Sequence, residues 1–369
     1  MTRLLYITDR EEYSKHNFIG PLFEKYLPEY MSVETVYFTK YKSCSQSTGN
    51  RHVVPEHEKT NLFQCLQNNG VDVEKFDMVI VRNMHDVLEY VLNNRVKYNF
   101  KVGYRISFPK ITGLLERARS ENRATLFQIL EHKLKTYTKS KLINRCDVFL
   151  PTSKQMQEMY YPDVRIKIFT IPSAIDPAGL KEKNRDNGEK TVFIHKGTLS
   201  KLRDFEEVLE AFCLLDNDNW IMKIYTKDVK YATEMIKSYP SIQKNIFLYD
   251  ISDREELTEY IADCDIGLAM LPDISIFNTS VALKIMDYYS NSVPALMTNS
   301  AQNSMIFDDG ENGWLCDFDR KEIKGKLEEI LKLPKEKFLQ VGKKGQERLL
   351  QVRNYKNIAS NLAKFLKSL

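Results

Sequence analysis

The sequence lacks several features that would assign it to a common class of protein. No run approaches the roughly 18 consecutive apolar residues of a membrane span. The opening residues, MTRLLYITDR, become charged too early for the apolar core of a signal peptide, so we expect a cytoplasmic protein. Neither G-x-x-x-x-G-K-[ST] nor G-x-G-x-x-G occurs. Interpretation of the protein as an ATPase or as a dinucleotide-dependent oxidoreductase therefore loses its main support.

Cysteine pairs and metal motifs are also scarce. The six cysteines form no C-x-x-C pair, and several lie in apolar runs, so we expect buried, reduced thiols. Two D-x-D sequences, at 216–218 and 317–319, are typical of turns between a helix and a strand. We therefore expect no disulfide framework, no bound metal and no cofactor.

What is present indicates two α/β domains. The chain has 369 residues, of which 43% are hydrophobic and 28% charged, enough for about two domains. Short apolar runs alternate with amphipathic stretches of helix length, as in parallel βα units, and no repeat of 20–50 residues is evident. The predicted strands are 4–7, 35–38, 78–81, 102–106, 148–150 and 168–171, then 191–194, 221–225, 246–249, 266–270 and 293–297.

The two sets of strands are separated by a polar segment, PAGLKEKNRDNGEK, which is typical of a linker or an exposed loop. We place the first domain at 1–175 and the second at 176–352. The amphipathic end of the chain, 353–369, is expected to pack back on the first domain. Ligands of such sheets bind at the carboxyl ends of the strands, so the motifs are expected to line a cleft between the domains.

Charge is unevenly distributed along the chain. The net charge is only +4, but between Lys101 and Arg145 eleven Lys/Arg residues face three glutamates. Apolar residues recur there at helical spacing, so one helix face is expected to be buried while the other is cationic. Three interpretations stay open: a solvated face, an anionic lipid surface and, ranked last, nucleic acid. The apolar residues are Leu126, Ile129, Leu130, Leu134 and Tyr137.

The stretch that begins at Asn278 predicts a nucleotide-phosphate site. Asn278, Thr279 and Ser280 are typical helix caps, and the N–H groups of a helix that they open suit a diphosphate. Ser280, Lys284 and Asp287 follow at i, i+4 and i+7, which predicts one helical face. The first two side chains suit phosphate oxygens, and the carboxylate suits ribose hydroxyls.

A second phosphate motif follows the predicted strand 191–194. Gly197 allows a close backbone approach, and Lys201 and Arg203 come just before a helix. The planar guanidinium of Arg203 can bridge two diphosphate oxygens, so it is the preferred ligand, whereas Lys201 is expected to be a solvated neighbour.

The order of these motifs resembles the GT-B retaining glycosyltransferases of family 4 over nearly the whole chain. That family typically carries a G-R-L-x-x-x-K-G turn, a glutamate-bearing helix followed by a G-x-P-V strand, and an x-G-x-N-G-x-L turn. The resemblance implies two Rossmann-like α/β/α domains facing each other across a cleft. The similar stretches here are 197–199 with 203–204, 286–288 with 292–295, and 309–315, together with CDVFLPTS and KIFTIPSAIDP upstream.

This chain departs from the family pattern at several positions. The diphosphate arginine of the family falls at Thr198 and its lysine at Arg203. Its paired glutamates fall at Thr279 and Asp287, and a threonine cannot replace a carboxylate on the donor sugar. Lys284 is in register with the lysine of the P-x-K-x-x-E-Y helix of many relatives, so it is expected to supply the missing positive charge.

The resemblance also implies roles elsewhere in the chain. Tyr249 and Ile251 lie where relatives seat the base, and Gly197, Thr198, Thr279 and Ser280 belong to the donor site. His16 and Arg105 match loops of the first domain that hold the acceptor.

The implied activity is transfer of a sugar, with retention, from a nucleotide-diphosphate sugar to an acceptor hydroxyl without a metal ion. A glycan or lipid-linked acceptor in bacterial polysaccharide or glycolipid assembly fits the basic segment, with a peripheral position on the inner face of the plasma membrane. Two alternatives stay open: a non-catalytic GT-B subunit that binds a partner transferase, and a GT-B-type sugar-nucleotide epimerase or hydrolase.

Overall fold

The computed structural model describes residues 2–11, 19–182, 188–251 and 257–369, without the side chains of 110, 111 and 257–259. The chain divides into two compact units. The first contains Met1–Leu115, Thr125–Pro172 and Tyr355–Leu369, and the second contains Glu116–Ala124 and Ser173–Asn354. These divisions fall within three residues of those expected from the sequence, except that 116–124 is grouped with the second unit.

The first unit is built on a sheet of eight strands. They are β1 (Arg3–Ile7), β2 (Ser32–Thr39), β3 (Gln46–Thr48), β4 (Arg51–Pro55), β5 (Met78–Arg82), β6 (Lys101–Arg105), β7 (Val148–Leu150) and β8 (Lys167–Ile168). Their order is β3-β4-β2-β1-β5-β6-β7-β8, parallel except for the β3–β4 pair. The sequence predicted six of these strands and extended the last one three residues too far. It missed β3, which has three exposed polar residues, and β4, which begins with the polar residues Arg51 and His52.

Helices α1 (Leu62–Asn68), α2 (His85–Tyr98), α3 (Lys110–Ser120), α4 (Leu126–Ile143) and α5 (Lys154–Tyr160) connect these strands. A π-helix spans Ile19–Tyr26, and short 3-10 turns span Leu27–Glu29, Glu56–Asn61 and Val73–Lys75. The central strand β5 is buried on both faces, as expected for a parallel strand between helical layers.

The second unit has six parallel strands. They are β9 (Thr191–Lys196), β10 (Trp220–Thr226), β11 (Ile246–Asp250), β12 (Ile266–Ala269), β13 (Ala295–Thr298) and β14 (Trp314–Cys316), in the order β11-β10-β9-β12-β13-β14. Five were predicted, and β14 was missed. The strand order reverses between β9 and β12, and such switch points are where open α/β sheets bind ligands.

The helices of the second unit are α6 (Phe205–Cys213), α7 (Val229–Lys237), α8 (Leu257–Ala262), α9 (Ser275–Asn278), α10 (Leu283–Ser290), α11 (Ala301–Ser304), α12 (Arg320–Leu331) and α13 (Lys335–Val352). Two 3-10 turns span Lys201–Arg203 and Gln243–Asn245.

Tyr288 fixes α10 against the two strands at the switch point. Its hydroxyl lies 3.2 Å from the Ile194 carbonyl oxygen and 3.3 Å from that of Leu268, and it accepts the Lys196 N–H at 3.1 Å. The ring packs directly on Gly267, where an added Cβ would lie 2.2 Å from Tyr288 Cδ2. A glycine is therefore required on β12 for α10 to approach this closely.

The last helix, α14 (Tyr355–Lys367), belongs to the first unit. It packs against the π-helix, and the Phe365 ring lies 5.2 Å from the ring of Phe169.

Helix α4 contradicts one expectation from the sequence. Its spaced apolar side chains do not form a buried face, because Leu126, Leu130, Leu134 and Tyr137 are exposed. In the part of the chain that the structure describes, no helix is long and apolar enough to cross a membrane.

The cysteines are mostly buried, as expected, but Cys44 is exposed. Burial raises the pKa of the Cys146 and Cys316 thiols to about 12, so both stay protonated. The two D-x-D sequences make turns, as predicted. Asn217 Oδ1 accepts the Asn219 N–H at 3.1 Å, and Asp319 caps α12.

Candidate functional site

The predicted phosphate motifs of the second unit meet at the switch point between β9 and β12. The turn after β9 supplies Gly197 and Arg203, and α10 supplies Lys284 and Asp287. Because α10 is held against β9 by Tyr288, the elements that carry these side chains are fixed in place.

Gly197 is the point of closest backbone approach. Its φ is 124°, a value that side chains rarely permit, and its N–H donates to the Tyr225 carbonyl oxygen at 2.9 Å. An added Cβ would lie 3.8 Å from Lys284 Cε. The next residue, Thr198, is exposed.

Arg203 ends the 3-10 turn and is half-buried. Its guanidinium carbon lies 5.3 Å from the centre of the Phe277 ring, within the range of a cation–π contact. Burial lowers the Arg203 pKa, and the nearby Asp228 carboxylate opposes that shift. Asp228 also accepts the Leu199 N–H at 2.9 Å, which fixes the start of the turn.

Lys284 is buried, and within the described residues its Nζ has no hydrogen-bond partner. Burial lowers its pKa well below the usual range, and the positive charges of Arg203 and Lys196 lower it further. A buried ammonium without a partner is unfavourable, so this position favours an anionic ligand.

His195 was missed by the sequence analysis. It is buried on β9 with its ring 4.2 Å from that of Phe205, and both ring nitrogens lack a partner in the described structure. Burial lowers the His195 pKa well below its usual range, and the positive charges of Lys284 and Arg203 lower it further. The imidazole is therefore neutral. Its position directly before Lys196-Gly197 was the only available signal.

Asp287 pairs with a residue that the sequence analysis did not consider. Lys196 Nζ lies 2.5 Å from Asp287 Oδ2, and the two side chains are only 16% and 17% exposed. The pair joins the end of β9 to α10. Whether Asp287 also binds ribose hydroxyls stays a prediction.

Asn278, Thr279 and Ser280 do not open one helix, which corrects the expectation. Asn278 is the last residue of α9, Thr279 is fully buried as its C-cap, and α10 begins at Leu283 after an extended Ala282. Ser, Thr and Asn side chains compete for backbone hydrogen bonds, so they mark helix ends as often as helix starts. Ser280 therefore lies outside the helix that carries Lys284 and Asp287.

An aromatic surface lies at the carboxyl ends of the neighbouring strands. Lys196, Tyr225 and Tyr249 are in register across β9, β10 and β11. The Tyr225 ring stacks on the Tyr249 ring with their centres 4.7 Å apart. The Tyr260 ring also stacks on Tyr225, with their centres 5.4 Å apart. Tyr249 is 39% exposed, and Ile251 is buried beside it.

The predicted acceptor residues belong to the first unit. His16 lies outside the described residues. Arg105 is buried at the end of β6, its Nη1 3.4 Å from the Ile171 carbonyl oxygen and its guanidinium 6.0 Å from the centre of the Phe23 ring. Burial lowers its pKa.

A polar cluster that the sequence analysis missed lies at the first unit's own switch point. Asp9 pairs with Arg82, and Arg82 Nη2 donates to Ser107 Oγ at 2.7 Å. Asn83, in the left-handed region at φ 59°, accepts the Ser107 N–H at 3.0 Å. These residues lie at or just after the carboxyl ends of apolar strands, which was the signal available in the sequence.

Part of the chain matches the model of a known family. The family model described as "Glycosyl transferases group 1" matches residues 178–348, which contain the whole β9–α10 site. No curated protein matches the chain by sequence.

Solved structures share the fold over the full chain. Sucrose-phosphate synthase from Thermosynechococcus elongatus is 11% identical with a TM-score of 0.70, covering 100% of this chain and 99% of its own. HepE from Anabaena, in complex with UDP and glucose, is 12% identical with a TM-score of 0.69, covering 100% of both chains. TarM from S. aureus, in a complex containing UDP, is 9% identical with a TM-score of 0.68 and covers 100% of this chain and 99% of its own.

The chain therefore has the GT-B fold of two parallel-sheet α/β domains, and its residues 178–348 match the family model of the glycosyl transferases group 1.

Proposed function

We propose that this protein is a retaining glycosyltransferase that moves a sugar from a nucleotide-diphosphate sugar to an acceptor hydroxyl. The observation that carries the proposal is the buried Lys284 Nζ, which has no partner in the described structure and lies beside Arg203 and the turn at Gly197. A diphosphate supplies the anion that this arrangement requires.

In the proposed reaction, the bond between the anomeric carbon and the diphosphate oxygen breaks as negative charge develops on the leaving diphosphate. Arg203 and Lys284 stabilise that charge, which is the main catalytic contribution. The acceptor oxygen bonds to the same face of the anomeric carbon, and its proton leaves with the diphosphate. Protein cations do the charge neutralisation, so we expect the reaction to proceed without a metal ion.

For the donor, we expect the base to bind beside Tyr249 and Ile251 and the ribose to lie near Asp287. The exposed part of the Tyr249 ring offers an apolar surface for a planar base. The HepE and TarM structures contain UDP, so uridine nucleotides are the first to test. Thr279 is fully buried and carries no charge, so we expect backbone groups near it to contact the donor sugar.

For the acceptor, we place the site at the carboxyl ends of β1, β5 and β6 in the first unit, beside Arg105. A glycan or lipid-linked glycan is the class that we propose, at the cytoplasmic face of a bacterial membrane. Another structure with the same fold is described as a lipopolysaccharide outer core galactosyltransferase, with 12% identity and a TM-score of 0.63.

The test is a transfer assay with purified protein, a panel of nucleotide sugars and glycan or lipid-linked acceptors. We expect one donor to give a nucleoside diphosphate and a glycoside whose anomeric configuration, read by NMR, matches the donor. An inverted product would contradict retention. Conversion to a new nucleotide sugar without acceptor would support the epimerase, and failure to bind any nucleotide would support the non-catalytic subunit.

A further inference from the structure

Helix α4 carries a row of large apolar side chains that face solvent. Five of them are between 51% and 80% exposed: Leu126, Phe127, Leu130, Leu134 and Tyr137. At about 100° of rotation per residue, all five fall within an arc of about 100° on the helix. We call this arc the α4 apolar face. A contiguous exposed patch of this kind marks a contact surface more often than scattered single residues do.

The other side of α4 attaches the helix to the first unit. Ser140 and Ile143 are buried, and His132 Nε2 lies 3.1 Å from Thr112 Oγ1 on α3. Thr125 begins the helix with a capping box formed with Gln128. The helix is therefore held in place by one side, and no element among the described residues covers the α4 apolar face.

Cationic side chains lie at one edge of the α4 apolar face and near its C-terminal end. From Leu126 to Arg145, five Lys/Arg residues accompany the single Glu131, an excess of four positive charges. Helical geometry places Lys133 at one edge of the face and Lys141 within it near the C-terminal end. Lys141 Nζ lies 4.5 Å from the centre of the Tyr137 ring. The aliphatic part of a lysine side chain can lie along an apolar surface while its ammonium group reaches outward.

We propose that the α4 apolar face inserts into the headgroup region of an anionic lipid membrane, with Lys133 and Lys141 on the phosphates. An apolar arc bordered by lysines is the pattern of a helix that lies in a membrane interface. A second copy of the chain is disfavoured as the occupant, because it would bring another cationic helix against this one. This contact would locate the proposed glycosyl transfer at a membrane. Only that role, and not the contact itself, rests on the proposed function.

Vesicle flotation of the full chain tests the proposal, with neutral phosphatidylcholine vesicles and vesicles that also contain phosphatidylglycerol. We expect the protein to float with the anionic vesicles and to do so less at high salt. The double variant Leu130→Gln with Leu134→Gln should bind at least about tenfold more weakly, because it loses apolar area at the interface. Lys133→Gln with Lys141→Gln should reduce binding to anionic vesicles.

Leu214→Gln with Met305→Gln is the matched control, since both side chains are exposed and apolar but lie in the second unit. It should float like the unchanged protein. No flotation of the unchanged protein, or equal flotation of all variants, would overturn the proposal. The proposal would also be overturned if the unchanged protein sedimented as a dimer and only the leucine double variant were a monomer. Nucleotide binding should be the same in all variants, so failure here is distinguishable from failure of the proposed function.

Discussion

Lys196 Nζ lies 2.5 Å from Asp287 Oδ2, so the last residue of β9 is joined to the middle of α10 by an ion pair. Lys284, three residues earlier on the same helix, is not part of this pair and lies beside Gly197. Asp287 therefore has a structural partner besides any ligand, and its substitution is expected to affect α10 as well as binding.

A double-mutant cycle measures this pair. We expect Lys196→Met and Asp287→Asn each to lower the free energy of unfolding and the double variant to lose less than their sum. The expected coupling is about 0.5–3 kcal/mol, because the two side chains are in contact and mostly shielded from water. Chemical unfolding of the four proteins gives the value.

The exposed pair of Lys237 and Glu234, 2.9 Å apart, is the matched control, and its coupling should be about 0–1 kcal/mol. Equal coupling at the two pairs would mean that the partial burial of Lys196 and Asp287 has no energetic consequence.

Lys284 is expected to reduce the stability of the free protein. Lys284→Met replaces an unpartnered buried amine, whose charged form burial disfavours, by an apolar chain of similar length, so it should raise the free energy of unfolding by about 1–3 kcal/mol at neutral pH. It should also abolish nucleotide-diphosphate binding. A variant that is more stable but does not bind identifies a residue held for its ligand.

The Lys284 effect has a predicted pH dependence. The pKa of Lys284 in the folded protein is lowered well below the value of about 10.4 expected in the unfolded chain. Between these two values the unfolded chain binds more protons, so the stability of the unchanged protein rises with pH. The stabilisation by Lys284→Met should therefore shrink as the pH rises from the lowered folded-state pKa toward about 10.4, where the unfolded chain also loses its proton. A constant difference would contradict a lowered pKa.

Gly267 is expected to tolerate no side chain. In Gly267→Ala the new Cβ would meet the Tyr288 ring, so α10 would shift and unfolding should become easier by at least about 1–3 kcal/mol. Thermal unfolding measures the effect, and nucleotide binding should weaken because Tyr288 positions the helix of Lys284.

The control for this variant is Gly325→Ala on α12, where an added Cβ meets nothing within 4 Å. It should stabilise the protein by about 0.5–1 kcal/mol, because alanine is the better helix former. Similar losses in both variants would show that the contact between Gly267 and Tyr288 does not determine the outcome.

Much of the fold could be predicted because buried parallel strands are continuous apolar runs. The runs 78–81 and 266–271 are examples, the first between Asp77 and Arg82 and the second between Asp265 and Pro272. Gln46–Thr48 was missed because its three exposed residues carry no apolar signal. Helix α4 was misjudged because periodicity identifies an apolar face but not whether another element covers it.

The residues of the candidate site that belong to sequence motifs could be predicted. Those whose roles depend on tertiary contacts could not. Gly197, Arg203 and Lys284 follow from motif order, and the structure brings them to one switch point. The pairing of Lys196 with Asp287 joins residues 91 positions apart, so no local pattern encodes it. The helix break at Thr279 was missed because capping residues fit both ends of a helix.

The most direct test of the central claim is calorimetric titration of UDP and other nucleoside diphosphates into the unchanged protein, Arg203→Ala and Lys201→Ala. Lys201 is an exposed cation in the same turn. Lys201→Ala therefore removes one positive charge, as Arg203→Ala does, but leaves the proposed site unchanged. We predict that one nucleotide binds the unchanged protein and Lys201→Ala alike, and binds Arg203→Ala at least about tenfold more weakly. Equal binding to all three proteins, or no binding of any nucleoside diphosphate, would contradict the account.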